Sequence, residues 1–231
     1  MAFLRNLLFS LVFLPGAALI TIMIALVSPV SEAAIIWGSH LWSVWFVWCA
    51  RVFHGVRLEV RGEVPQTGAI VALKHQSAYE TFLTLYLFDR PAVVMKAELR
   101  SIPIWGFVSF RHGSIFVERG KGGAALKGML RQAKLRVSEG RPVVMFPEGT
   151  RVPVGEAPEL RAGLFALYAS LKLPVVPVSL NSGLVWGKSA GRHPGVVTLA
   201  FQEAVPPGLT RNEFDARVHA AINADPVKAL V

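Results

Sequence analysis

The chain has one cysteine, Cys49, and between residues 7 and 27 it has no charged side chain. A single thiol excludes any intrachain disulfide and fits a reducing compartment. Metal-ligand spacing is missing too: the histidines at 40, 54, 75, 112, 193 and 219 form no His-Glu-x-x-His, and no metal is expected. There is no Gly-x-Ser-x-Gly, which removes a serine elbow. Gly120-Lys121-Gly122-Gly123 lacks the Lys-Ser or Lys-Thr of a P-loop, so ATP is not expected either. Zinc-finger spacing and basic helices interleaved with aromatics are also lacking. The net charge of +9 suits an anionic membrane surface and nucleic acid equally well; the lack of these motifs argues against the second, and the hydrophobic runs select the first.

What is present begins with hydrophobic length. The uncharged run 7–27 approaches the roughly 20 apolar residues that cross a bilayer core. A second run, 33–50, holds Trp37, Trp42, Trp45 and Trp48, a residue type that prefers the membrane boundary. Between them, Ser28-Pro29-Val30-Ser31-Glu32 reads as a turn. The two runs form a helical hairpin with Arg5 and Arg51 on the same, cytoplasmic side. The length of the first run, the second run behind it and the lack of a small-x-small cleavage site argue against a secretory signal. Pro15-Gly16 and His40 leave open whether the hairpin spans the bilayer or dips into one leaflet. Residues 1–52 are read as this anchor and 53–231 as a catalytic domain.

Beyond Arg51 short apolar runs alternate with helical patterns, which predicts an α/β fold: a mostly parallel sheet flanked by helices. Strands are expected at 56–61, 69–73, 92–96, 115–117, 142–146, 175–180 and 196–201, each bounded by Gly, Pro or charge. Helices are expected at 79–88, 123–139, 160–171 and 212–223. In the second of these Leu126, Met129, Leu130, Ala133 and Val137 recur at helical spacing, a core stripe. Lys127, Arg131, Lys134 and Arg136 face the other way as a solvated surface that also suits lipid headgroups.

Two places carry chemistry. Val71-Ala72-Leu73-Lys74-His75-Gln76-Ser77-Ala78-Tyr79-Glu80 is a buried-strand pattern that ends in a polar cluster, at the edge where open α/β sheets bind ligands. An imidazole is the side chain suited to take a hydroxyl proton at neutral pH, given an orienting partner. Glu80 serves, but five helical residues would set it about 140° away, so His75 must lie off the helix. Ser77 and Glu80 also have capping-box spacing, and both roles can coexist. The second place, Phe146-Pro147-Glu148-Gly149-Thr150-Arg151, follows another apolar run. Its Gly and Pro form a tight turn, and Arg151 offers a planar fork for phosphate. Gly113-Ser114-Ile115-Phe116-Val117-Glu118-Arg119 reads as a further phosphate contact.

From about residue 58 to 180 these blocks resemble, in order, the four motifs of the glycerolipid acyltransferases, the 1-acyl-glycerol-3-phosphate (lysophosphatidic acid) acyltransferase family. His75 through Glu80 is similar to His-x-x-x-x-Asp, with Glu80 one methylene longer than the usual Asp. Gly113, Phe116 and Arg119 match Gly-x-x-Phe-x-x-Arg, Phe146 through Arg151 match Phe-Pro-Glu-Gly-Thr-Arg, and Val176-Pro177-Val178 with Asn181 resembles the Val-Pro-Val block.

The resemblance implies that His75, oriented by Glu80, deprotonates the free hydroxyl of a lysophospholipid. The hydroxyl then attacks the thioester of acyl-CoA or acyl-carrier protein, with no covalent acyl-enzyme at Ser77. Arg119, Glu148, Gly149, Thr150 and Arg151 would hold the phosphate end of the acceptor. No cofactor beyond the acyl donor is implied. The expected product is phosphatidic acid, made at the cytoplasmic face of the inner membrane among phospholipids. Other acceptors (lyso-ornithine lipid, lysophosphatidylethanolamine, glycerol 3-phosphate) remain open, as do a thioester or lysolipid hydrolase and a non-catalytic lipid-binding module. Residues 102–110, with Trp105 and Gly106, are read as lining for the acyl chain.

Overall fold

The computed structural model describes residues 2–118, 122–187 and 191–228. It opens with α1 (Ala2–Val27) and α2 (Glu32–His54). Ser31 caps α2 by accepting the Ala34 N–H, and Gly55 closes it in the left-handed region. There follow β1 (Val56–Arg61), β2 (Ile70–Leu73), α3 (Tyr79–Leu87), β3 (Ala92–Lys96), a 3-10 helix (Ala97–Ser101), α4 (Trp105–His112), β4 (Ile115–Val117), α5 (Gly122–Ser138) and β5 (Val143–Met145). The remainder is α6 (Ala162–Leu171), β6 (Val175–Leu180), α7 (Ser182–Val185), a ribbon of β7 (Trp186–Gly187) and β8 (Gly191–Arg192), β9 (Gly195–Phe201) and α8 (Arg211–Ile222).

Seven strands form one sheet in the order β1-β9-β6-β2-β5-β3-β4. Every neighbouring pair is parallel except β6 with β9. The first strand lies beside the last, from Val56 opposite Gly195 to Arg61 opposite Ala200. The expected class, a mostly parallel sheet with flanking helices behind two apolar helices, is the one observed. Four strands have the predicted bounds, β2 and β9 differ by one residue at one end, and β5 is shorter by one residue at each end. The 3-10 helix, α4, α7 and the ribbon were not foreseen. Pro103, Gly106 and an Ile104 held at φ 61° interrupt the periodicity that would announce α4.

Period-2 alternation assigns the strand residues to two faces. Ile70, Ala72, Val143, Met145 and Val175 meet α5, α6 and α8 through Met129, Ala133, Leu164, Leu167, Phe214 and Val218. Val71, Leu73, Val93, Val144, Val178 and Leu199 meet α3 and the hairpin through Tyr79, Leu83, Phe9, Phe13 and Phe46. Phe46 is fully buried among Phe13, Tyr79, Phe82 and Trp186. Its truncation to alanine should cost about 3–5 kcal/mol, readable from a denaturant midpoint.

The hairpin therefore shares a core with the sheet, and among the described residues no buried cluster belongs to it alone. It is docked along its whole length. Near the turn, Arg90 pairs with Glu32 at 2.6 Å and Arg111 donates to the Ser28 carbonyl at 2.7 Å. Midway, Ser43 donates to the Phe82 carbonyl and His40 Nδ1 meets the Leu85 carbonyl at 3.0 Å. At the other end Arg192 lies over the Phe9 ring. The outward face is apolar: Leu7, Leu8, Leu11, Leu14, Leu19, Ile22, Met23 and Leu26 are all exposed. Of the four clustered tryptophans only Trp37 and Trp48 share that face. Trp42 and Trp45 turn inward, onto Phe82 and the Phe13 carbonyl.

Candidate active site

β2 and β5 are adjacent, with Ala72 opposite Met145. Extending that register three residues brings His75 level with Glu148, beyond the carboxyl ends of both strands. The two loops are tied at this level through the backbone of His75. Its N–H donates to Glu148 Oε2 at 2.9 Å, and its carbonyl accepts the Val152 N–H at 2.8 Å. Glu148 is 2% exposed, and its other oxygen is ion-paired with the equally buried Lys74 at 2.5 Å. Lys74 also donates to Asn223 Oδ1 (2.6 Å) and to the Glu156 carbonyl (3.0 Å). Of the residues expected to hold phosphate, Glu148 faces away from the cavity described below: one oxygen is engaged by Lys74 and the other by the His75 N–H.

His75 precedes α3, off the helix as the spacing demanded. Its Nδ1 is 2.9 Å from Glu80 Oε1. The same oxygen accepts the N–H groups of Gln76 and Ser77, both at 2.6 Å, and Oε2 accepts the hydroxyls of Ser77 (2.7 Å) and Ser182 (2.6 Å). Ser77 Oγ in turn accepts the Tyr79 N–H at 3.0 Å, so the cap and the orienting pair are one network. Burial pushes Glu80 up, but the hydrogen bond and charge of His75 and the bonds from Ser182 and Ser77 outweigh it, holding the group below its usual value. The Phe146 ring lies against the imidazole, tilted by 30°, with ring centroids 4.2 Å apart. With Nδ1 engaged by Glu80 and one face covered, Nε2 is the nitrogen left to work.

His75 opens on a cavity of about 780 Å3 lined mainly by apolar groups, including Trp42, Phe82, Leu85, Met95, Trp105, Val108, Leu126 and Met129. Four consecutive residues of β3, Val93 to Lys96, border it, so it runs about 13 Å along the strand. His75, Phe146, Gly149, Thr150 and Arg151 border it at the carboxyl ends of the strands, and His112 and Ser114 where β4 begins, toward the opposite edge. His112 Nδ1 is enclosed without a hydrogen bond, and burial together with Arg141, Arg90 and Arg136 pushes its pKa down to about 3. It is a neutral wall.

Gly149 has φ 70°, a turn that glycine adopts without strain, and it sets Thr150 and Arg151 out at the exposed rim. Arg161, which the motifs did not flag, also lines the cavity. Arg119 lies outside the described residues. Gly113 makes room for a neighbour: a Cβ there would lie 2.2 Å from Nη1 of buried Arg141. That arginine, also unforeseen, holds the carbonyls of Arg90, Pro91 and His112. Of the expected chain lining, Trp105, Val108 and Ser109 border the cavity. Gly106 does not. A Cβ on it would meet the Arg100 carbonyl oxygen at 2.1 Å, so it lets α4 pack on the 3-10 helix. Among the described residues no group of histidines, cysteines and carboxylates could hold a metal ion.

The profile of the Acyltransferase family matches residues 55–181. A 1-acyl-sn-glycerol-3-phosphate acyltransferase of Pseudomonas aeruginosa is 34% identical over 167 residues, 71% of this chain and 65% of that one. The human 1-acyl-sn-glycerol-3-phosphate acyltransferase beta is 29% identical over 181 residues, 75% of this chain and 65% of its own. The chain thus spans less than two thirds of the length of these curated relatives. The crystal structure of the 1-acyl-sn-glycerophosphate (LPA) acyltransferase PlsC from Thermotoga maritima shares the fold, with TM-score 0.76 at 23% identity, covering 96% of this chain and 95% of that one.

Proposed function

This chain belongs to the acyltransferase family, and on that premise we propose that it moves a fatty acyl group from a thioester to the free hydroxyl of 1-acyl-glycerol 3-phosphate, giving phosphatidic acid. The observation that carries the reading is the His75–Glu80 pair at 2.9 Å, opening on an apolar cavity with Arg151 at its rim.

In this mechanism His75 Nε2 takes the hydroxyl proton as the oxygen attacks the thioester carbon, while Glu80 steadies the imidazolium through Nδ1. The tetrahedral adduct collapses with cleavage of the C–S bond. The departing sulfur takes the proton back from His75, and thiol and ester leave. A positioned base of this kind contributes typically about 10²–10⁴ in rate. The thioester is already activated, so holding the hydroxyl in line supplies much of the rest. Arg151 meets the acceptor phosphate, and the apolar cavity takes the acyl chain, with Trp105 and Val108 as residues that set its length.

The hairpin lies in one leaflet in this reading. What supports this is that the helices are held against α3, α4 and the β7–β8 ribbon at several points along their length, while their outward leucines are suited to the acyl boundary. Arg5 and Arg51, near the open ends of the hairpin, support a cytoplasmic face in this reading. The donor is acyl-CoA or acyl-carrier protein.

The test is acyl transfer by the purified full chain in mixed micelles, with labelled acyl-CoA and acyl-carrier protein offered alongside lysophosphatidic acid. Wild type should form phosphatidic acid, and His75→Ala should fall by about 10³-fold or more. Equal activity of the two proteins sinks the mechanism. Acylation of a different lysolipid alone sinks the acceptor, and release of free fatty acid without transfer makes the protein a hydrolase.

A further inference from the structure

Helix α1 carries only three uncharged polar side chains, Asn6, Ser10 and Thr21, and each of them lines a cavity. Thr21 borders the chamber of His75. Asn6 and Ser10, four residues apart and so on one face, border a second recess of about 530 Å3. Its other walls are Ser77 and Ala78 ahead of α3, Arg151, and the β7–β8 ribbon with Arg192. Arg151 lines both spaces, which makes them neighbours.

Arg192 is the unusual member. It pairs across the ribbon with Trp186, and its guanidinium lies 4.6 Å from that ring and 4.9 Å from the ring of Phe9. Its hydrogen bond to Asn6 Oδ1 is long, 3.4 Å. Among the described residues no carboxylate pairs with Arg192 or with Arg151. A guanidinium partly withdrawn from water between two aromatic faces gains cation–π attraction but lacks the anion that would complete its forked donor set.

We propose that Arg192, with Arg151, seats the phosphate monoester of the acceptor in this recess. The inference rests on the transferase reading above and adds to it a residue outside all four motifs. In the acceptor only two carbons separate the reacting hydroxyl from the phosphoester oxygen, so the phosphate must sit close to His75. Ser77 and Ala78, two and three residues past His75, form the recess wall, and Arg151 bridges the two spaces. Part of that wall belongs to the first turns of α1, whose outer side is apolar. The recess is therefore complete only when α1 is docked.

The experiment compares wild type, Arg192→Met and Arg192→Lys as full chains in detergent. Glycerol 3-phosphate is titrated calorimetrically, and the KM values for lysophosphatidic acid and for the acyl thioester are measured separately. Arg192→Met should weaken glycerol 3-phosphate binding about tenfold or more and raise the lysophosphatidic acid KM alike, with the thioester KM unchanged. Arg192→Lys, which keeps the charge without the fork, should fall between. Inorganic phosphate binding as tightly as glycerol 3-phosphate would make this a free-phosphate site and overturn the assignment. Equal rises in both KM values with a lowered Tm would make Arg192 a clasp for α1 and overturn it too. Wild type that acylates no glycerolipid, yet binds glycerol 3-phosphate through Arg192, would sink the transferase reading while supporting the site.

Discussion

Glu80 and Glu148 are both buried carboxylates that touch His75, one at the ring and the other at the main chain. Glu80 is surrounded by neutral donors: two backbone N–H groups and two serine hydroxyls besides the imidazole. Its charge has no permanent cation beside it, so it is available when the imidazole becomes positive. Glu148 is already neutralised by Lys74, which leaves it a structural pin. A family motif names both residues, but the direction of each side chain separates them: Glu80 faces the imidazole and Glu148 faces Lys74.

Substitutions should separate the pair. The largest effect is expected at Glu148→Gln, which strands Lys74 as an uncompensated buried charge. A loss of about 3–5 kcal/mol in stability is predicted, measured as a fall in denaturant midpoint, and the double change Lys74→Met, Glu148→Leu should recover most of it. Recovery of activity along with stability would confirm that Glu148 matters only through the fold; full stability of Glu148→Gln would contradict the ion pair.

Next comes Glu80→Gln, for which kcat should drop about 10²-fold, near 2.7 kcal/mol, in a chain that still folds. Glu80→Asp should retain more activity than Glu80→Gln, because it keeps the charge. A Glu80→Gln enzyme as slow as His75→Ala and also unfolded would erase the contrast with Glu148.

The smallest effect is one of pH. Because Glu80 is held below its ordinary value of 4.5 in the folded chain, its contribution to stability is complete above that value. It is lost as pH falls through the lowered native value. The stability gap between wild type and Glu80→Gln should therefore be flat above 4.5 and shrink only on acidification below it. A gap that changes near neutrality would mean that another group governs it.

Much of the fold was legible because buried parallel strands read as apolar runs bounded by Gly, Pro and charge, and seven such runs became seven strands. The His75–Glu80 pairing was legible from the strand-to-helix junction, since on a regular helix the two side chains would lie about 140° apart. Lys74 was not, because a lysine at the end of a strand looks like the first polar residue of a loop; its partners Glu148, Glu156 and Asn223 are 74 or more residues away. Gly106 looked like pocket lining and instead gives way to the Arg100 carbonyl, a backbone approach that leaves no mark in composition. Arg192 escaped notice for the same reason as Arg141: each is defined by groups that only the tertiary fold assembles.

The pairing of β1 with β9 bears on how the protein is made. The ribosome releases α1 and α2 first, but the sheet face that buries Phe13 and Phe46 is unfinished until β6 and β9 emerge, over a hundred residues later. During that interval the hairpin is apolar on its inner side as well as its outer one. A membrane surface can hold both sides away from water and from other nascent chains, so a lipid bilayer would serve this chain as a folding chaperone.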